Sequence, residues 1–123
     1  MFLLLLIILG ALGTLARYFL QGWVQQYSGF AFPTGTLAVN LSGCFIIGLF
    51  GQFALRNLWI SSEWRVALMI GFLGAFTTFS TFGWETVHML EDGEWMRAVF
   101  YVAFNVFGGL MGVILGMKLG DLL

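Results

Sequence analysis

Four apolar stretches, each about twenty residues or longer, take up nearly the whole chain, with only short polar connections between them. About twenty consecutive apolar residues in a helix match the hydrocarbon core of a bilayer. Backbone at that depth has no water to bond to, so stretches of this length form helices that satisfy their own N–H and C=O groups. Charge supports the same conclusion. Only 9% of residues are charged, against about 25% in an average soluble domain. Disorder would require low hydrophobicity, and 60% of this chain is hydrophobic. The class is an all-α integral membrane protein, and residues 1–123 form a single four-helix transmembrane domain.

The first segment runs over about Phe2–Gln25. It has no positively charged residues before its apolar run, as a signal peptide would, and it continues past Arg17, so it reads as a retained helix. The second runs over about Thr34–Leu55, with Pro33 suited to its start. The third covers about Trp64–Leu90 and the fourth about Trp95–Lys118. Trp23, Trp59, Trp64 and Trp95 fall near segment ends, where interfacial aromatics collect. The connections are too short to hold an active site outside the membrane.

Glycines supply close-packing surface. Gly108, Gly112, Gly116 and Gly120 form one stripe on the fourth segment, joined by Gly10, Gly13, Gly43, Gly48 and Gly51 elsewhere. Such stripes let backbones approach, either within one subunit or between two. Lys and Arg counts give little orientation bias. Arg56, Arg65 and Lys118 lie on one side and Arg97 on the other, with Arg17 undecided. A chain with so small a bias is compatible with insertion in both directions. No basic patch exists, which argues against nucleic acid as a partner. Cys44 is the sole cysteine and reads as an apolar packing residue.

The residues with chemical potential sit in mid-segment. In the third, Thr77, Thr78, Ser80 and Thr81 fall within five positions, just after Gly71 and Gly74. One or two hydroxyls back-bond to their own helix without consequence. Four beside two glycines predict a helix broken near the bilayer centre, with carbonyls able to bind a small hard cation. An unbroken helix with buried hydroxyls is the other reading. Phe76, Phe79 and Phe82 recur every third residue, either as core or as rings whose positive edges face an anion. Asn40 is helix glue or a source of two N–H donors for an anion. Tyr101 and Asn105, one turn apart, extend the polar surface to the fourth segment. Arg17, an expensive charge inside the first segment, snorkels to a surface or forms a positive vestibule. Glu85 and His88 have a metal-ligand spacing, but the further mid-bundle carboxylates of a two-metal site are missing, and a wet mouth suits both. No nucleophile–base arrangement, phosphate loop or cysteine cluster points to an enzyme.

Gly10–Tyr18 (GALGTLARY), Phe32–Gly48 (FPTGTLAVNLSGCFIIG) and Gly71–Phe82 (GFLGAFTTFSTF) resemble the CrcB/Fluc fluoride channels across essentially the whole chain. The resemblance implies an antiparallel, dual-topology homodimer in the bacterial inner membrane, with two pores for passive fluoride export. It implies a structural sodium ion held by the carbonyls of Gly74 and Thr77. It implies pore roles for Phe79 and Phe82 as ring edges, for Asn40 as a donor, and for Ser80, Thr81 and Tyr101 as a polar track. Asn105 and Gly109 stand where small hydroxyl residues are expected in some members. Fluoride is strongly hydrated, so a pore must replace its water with donors yet release it. Amide N–H groups, hydroxyls and ring edges do this without a trapping charge. Two rival functions remain at this stage, a small multidrug-type proton-coupled antiporter and a non-transporting assembly subunit. The first needs a deep carboxylate, and only Glu85 approaches that position.

Overall fold

The computed structural model describes all residues, Met1–Leu123. Helix α1 is Phe2–Ser28 and α2 is Thr34–Arg56. The third span is two helices, α3 (residues 62–76) and α4 (Phe79–Glu91). Helix α5 fills the fourth span, Trp95–Leu122. All four spans are long and apolar enough to cross a membrane. They alternate in direction, which brings the end of α2 beside the end of α5, where Gln52 Nε2 donates to Asp121 Oδ1 at 2.7 Å. Only 19 of 123 residues are buried, so most apolar surface faces outward, as it does in a chain solvated by lipid.

Local chemistry sets the ends of the elements. Gly29 and Gly93 adopt positive φ (81° and 76°), which lets the chain turn sharply after α1 and between α4 and α5. Gln25 pins the first turn by donating to Phe32 O (2.9 Å) and accepting from Gly35 N (3.1 Å). The Ser61 side chain caps α3 by accepting from Trp64 N. Two π-helical turns interrupt the α pattern, Ala67–Leu73 within α3 and Phe104–Gly108 within α5.

The glycine stripe packs inside one chain. A Cβ at Gly116 would collide with the Phe45 carbonyl, one at Gly120 with Leu49 O, and one at Gly48 with the Val113 backbone. Helices α2 and α5 therefore touch backbone to backbone. Gly13 admits the Phe72 carbonyl of α3 in the same way, and Gly35 admits that of Gln21. Of the two uses the sequence allows, these glycines serve packing within the subunit.

The side-chain core is small and falls into two clusters. One is Phe82, Met89, Ala98 and Tyr101, with Phe32 and Leu37 against it. The other is Val39, Leu73 and Phe76. Phe76 stacks on Phe72 (6.0 Å between ring centres) and belongs to this core. The phenylalanine triplet is therefore split between core and surface, because Phe79 lies beyond the interruption and is 82% exposed.

Candidate functional site

Two residues interrupt the third span. Thr77 has φ −85°, ψ 160° and Thr78 has φ −147°, ψ 111°, both extended. Helix α4 restarts at Phe79. The Thr78 side chain caps it, accepting from Thr81 N at 3.2 Å, while Thr78 Oγ1 donates to Thr81 Oγ1 at 2.9 Å. Thr77 Oγ1 bonds back to Leu73 O at 3.1 Å. Three of the four hydroxyls thus finish one helix and start the next. The Ser80 side chain is exposed, with its Oγ at 3.5 Å from Thr78 Oγ1.

Asn40, on α2, bridges the interruption. Its Oδ1 accepts from Thr78 N at 2.8 Å, and its Nδ2 donates to Thr78 O at 3.1 Å. Its second amide hydrogen goes to Asn105 Oδ1 on α5 at 3.0 Å. Asn105 in turn donates from Nδ2 to Tyr101 O, one turn earlier, at 3.0 Å. The amide of Asn40 is therefore glue here, and both of its donors are engaged.

The interruption leaves the four carbonyls of residues 74–77 without their helical partners. In a continuous helix Gly74 O and Thr77 O would accept from Thr78 N and Thr81 N, but those amides donate to Asn40 and to the Thr78 side chain. Neutral carbonyl oxygens released at a helix interruption have the hard donor chemistry that suits sodium. Gly74 is exposed, Thr77 is half-buried, and both line the same groove. Two oxygens do not complete a coordination shell by themselves.

Arg17 lies beside the interruption. Its Nη1 points at the Thr77 carbonyl, 3.5 Å away, level with the interruption. Arg17 lies in mid-helix and is half-buried. Its positive charge stands close to the oxygen that would face a cation.

Asn40, Gly74, Thr77, Phe79, Phe82 and Asn105 line one groove of about 430 Å³ on the side of the bundle. The rings of Phe79 and Phe82 are 5.6 Å apart and tilted by 57°. Phe82 leads on to Tyr101, with ring centres at 5.4 Å. Ser80 and Thr81 belong to the helix start rather than the groove lining.

The sequence reading did not include Thr36 and Glu85 among the site residues. Thr36 Oγ1 donates to Glu85 Oε1 at 2.9 Å, and the Tyr101 hydroxyl donates to Glu85 Oε2. Gln21 Nε2 donates to Thr36 Oγ1 at 3.2 Å. Thr36 and Tyr101 are fully buried. Glu85 also lines a cleft that opens beside Pro33, Asp92 and Arg97, so it joins the polar interior to a wet end. The signal available in sequence was Thr36 one turn before Asn40, but the reach of Glu85 to it was not readable. His88 takes no part, and its ring lies against Trp84 at 4.3 Å.

The family model described as CrcB-like protein, Camphor Resistance (CrcB), matches residues 4–117. Among curated proteins, one from Geotalea uraniireducens (strain Rf4) named "Fluoride-specific ion channel FluC" is 51% identical over 110 residues, covering 89% of each chain. A protein of the same name from Geobacter metallireducens is 52% identical over 108 residues, covering 88% of this chain and 87% of the relative. Another, from Rhizobium johnstonii, is 43% identical over 108 residues, covering 88% and 86%.

Proposed function

The chain belongs to the CrcB family, and from that premise we propose that it is a fluoride-selective channel of the membrane that passes the ion downhill, out of the cytoplasm. It is a transport protein and not an enzyme. The observation that carries the reading is the groove itself, where the Asn40 amide and the Phe79 and Phe82 rings converge beside a helix interruption. Amide hydrogens and ring edges offer partial positive charge to a small anion without binding it as an ion pair would. Tyr101 continues the polar surface from Phe82 toward Glu85 and the outer cleft, with Ser80 and Thr81 beside its inner end.

The working unit of this proposal is an antiparallel homodimer with two pores. The groove is open along the side of the bundle, and Phe79 is bare in the single chain. A second copy would close the groove into a pore and cover the ring. The interruption would then lie near the bilayer centre in both copies. The carbonyls of Gly74 and Thr77 from each would hold a structural sodium ion, which supplies a fixed positive field between the two pores. Arg17 would turn from the Thr77 carbonyl when that site is filled. The inner membrane of a bacterium is the setting in which such export protects the cell.

Fluoride efflux from liposomes holding the purified protein tests the function. Fast fluoride loss without chloride loss, abolished by Phe82→Ile in folded protein, is the expected result. A proton-coupled antiporter would instead move a cation against a proton gradient. A passive assembly subunit would give no flux, and either result would sink the channel reading.

A further inference from the structure

The amide pair between α2 and α5 has a direction that backbone chemistry dictates. Tyr101 O is an acceptor only, so the amide nitrogen of Asn105 must face it. The amide oxygen of Asn105 must then face Asn40, which turns the Asn40 nitrogen toward Asn105. The oxygen of Asn40 is left to face Thr78 N, where it is found. The backbone of Thr78 fixes the Asn40 amide from one side and Tyr101 O fixes the Asn105 amide from the other, and the two orientations agree. Asn105 lies in the π-helical turn Phe104–Gly108, and such turns recur at functional sites because they re-aim side chains.

The pairing creates a conflict with the proposed function, on which this inference rests. Asn40 has two amide hydrogens, and both are engaged. An anion reaching Asn40 must displace a partner. The contact with Thr78 is a two-bond pair that repairs the helix interruption. The contact with Asn105 is a single bond, and it lies in the groove with Phe79 and Phe82. The single bond is the cheaper one to give up.

We infer that Asn105 is a positioning residue that acts as the exchangeable partner of Asn40: its Oδ1 holds one Asn40 amide hydrogen toward the groove and releases it to the passing fluoride. The Asn105 oxygen stands in for the anion between passages. It competes with fluoride for that hydrogen, so the ion is not held tightly. A donor available only part of the time binds its ligand less tightly by that fraction.

The test is the initial rate of fluoride efflux from liposomes across a range of fluoride loads, for the wild-type chain, Asn105→Leu and Asn105→Ser. Leucine cannot accept from Asn40. Serine can bond back to Tyr101 O but is too short to reach Asn40, and it keeps the test decisive if the leucine variant does not fold. Both variants are expected to lower the half-saturating fluoride concentration about two- to tenfold, the equilibrium equivalent of one net hydrogen bond. A merely structural role would reduce the maximal rate or the yield of folded protein without tightening the ion. A half-saturating concentration that stays the same or rises in the variants, while the wild type conducts, overturns this inference alone. Absence of fluoride flux in the wild type overturns it together with the channel reading.

Discussion

Asn40 makes three hydrogen bonds with one side chain, two of them to the backbone of Thr78. That economy can be tested by substitution. Asn40→Asp keeps an acceptor for Thr78 N but loses both donations, while Asn40→Leu loses all three bonds. An orphaned buried polar group costs about 1–3 kcal/mol. Both variants are therefore expected to unfold at lower temperature in detergent than the parent, Leu lower than Asp, and neither is expected to pass fluoride. An Asp variant that conducts at the parent rate would show that the Asn40 donors have no part in permeation. The polar character of this position was legible in sequence, since an amide in mid-segment must find partners. Which partners it finds was not, because they come from residues 38 and 65 positions away. Arg17 shows the same limit. Its cost was readable, and its proximity to the Thr77 carbonyl depends on how α1 packs against the interruption.

Helices in this protein approach one another through glycine, and the glycines are not equivalent. Gly116 has the Phe45 carbonyl where its Cβ would be, while Gly83 on α4 has nothing within 4 Å. Gly116→Ala must push α5 away from α2 and is expected to abolish monodisperse protein on size-exclusion chromatography. Gly83→Ala meets open space and removes a flexible residue from a helix, which is worth about 0.5–1 kcal/mol. It is expected to raise the unfolding temperature slightly. If the two variants behave alike, backbone packing between α2 and α5 is not what holds this pair. The stripe of four was visible from its spacing, but spacing is symmetric between a neighbour in the same chain and one in another. The π-helical turns were not visible at all, since an inserted residue leaves no mark in a uniformly apolar run.

The whole molecule carries few orienting charges. Arg56, Arg65 and Lys118 lie toward the end where α2 and α5 finish, and Arg97 lies at the opposite end. Arg17 lies in mid-helix, with its Nη1 3.5 Å from the Thr77 carbonyl, and is counted on neither side. Dual insertion predicts a simple labelling result. In a Cys44→Ser background, Asp92→Cys in the turn between α4 and α5 is expected to react with an impermeant thiol reagent in roughly half of the molecules in sealed vesicles. Labelling near all or none would mean a single orientation and would exclude the antiparallel pair. Adding lysines to the loop at residues 57–61 is expected to move the labelled fraction away from one half.

The sequence by itself determined the class of the protein, the number of spans and their limits within a few residues. Lipid imposes that outcome, because it tolerates only apolar residues over a fixed length and only helices along them. The sequence also marked the hydroxyl run beside two glycines as the place where a helix is weakest. Tertiary structure alone decided what the released groups do. It gave Thr78 to Asn40, directed Arg17 to the Thr77 carbonyl, and drew Glu85 to Thr36 and Tyr101. Hydrogen bonds between helices depend on positions to within a few tenths of an ångström. Those positions are set by backbone contact at Gly13, Gly35, Gly48 and Gly116, which spacing along a chain cannot express.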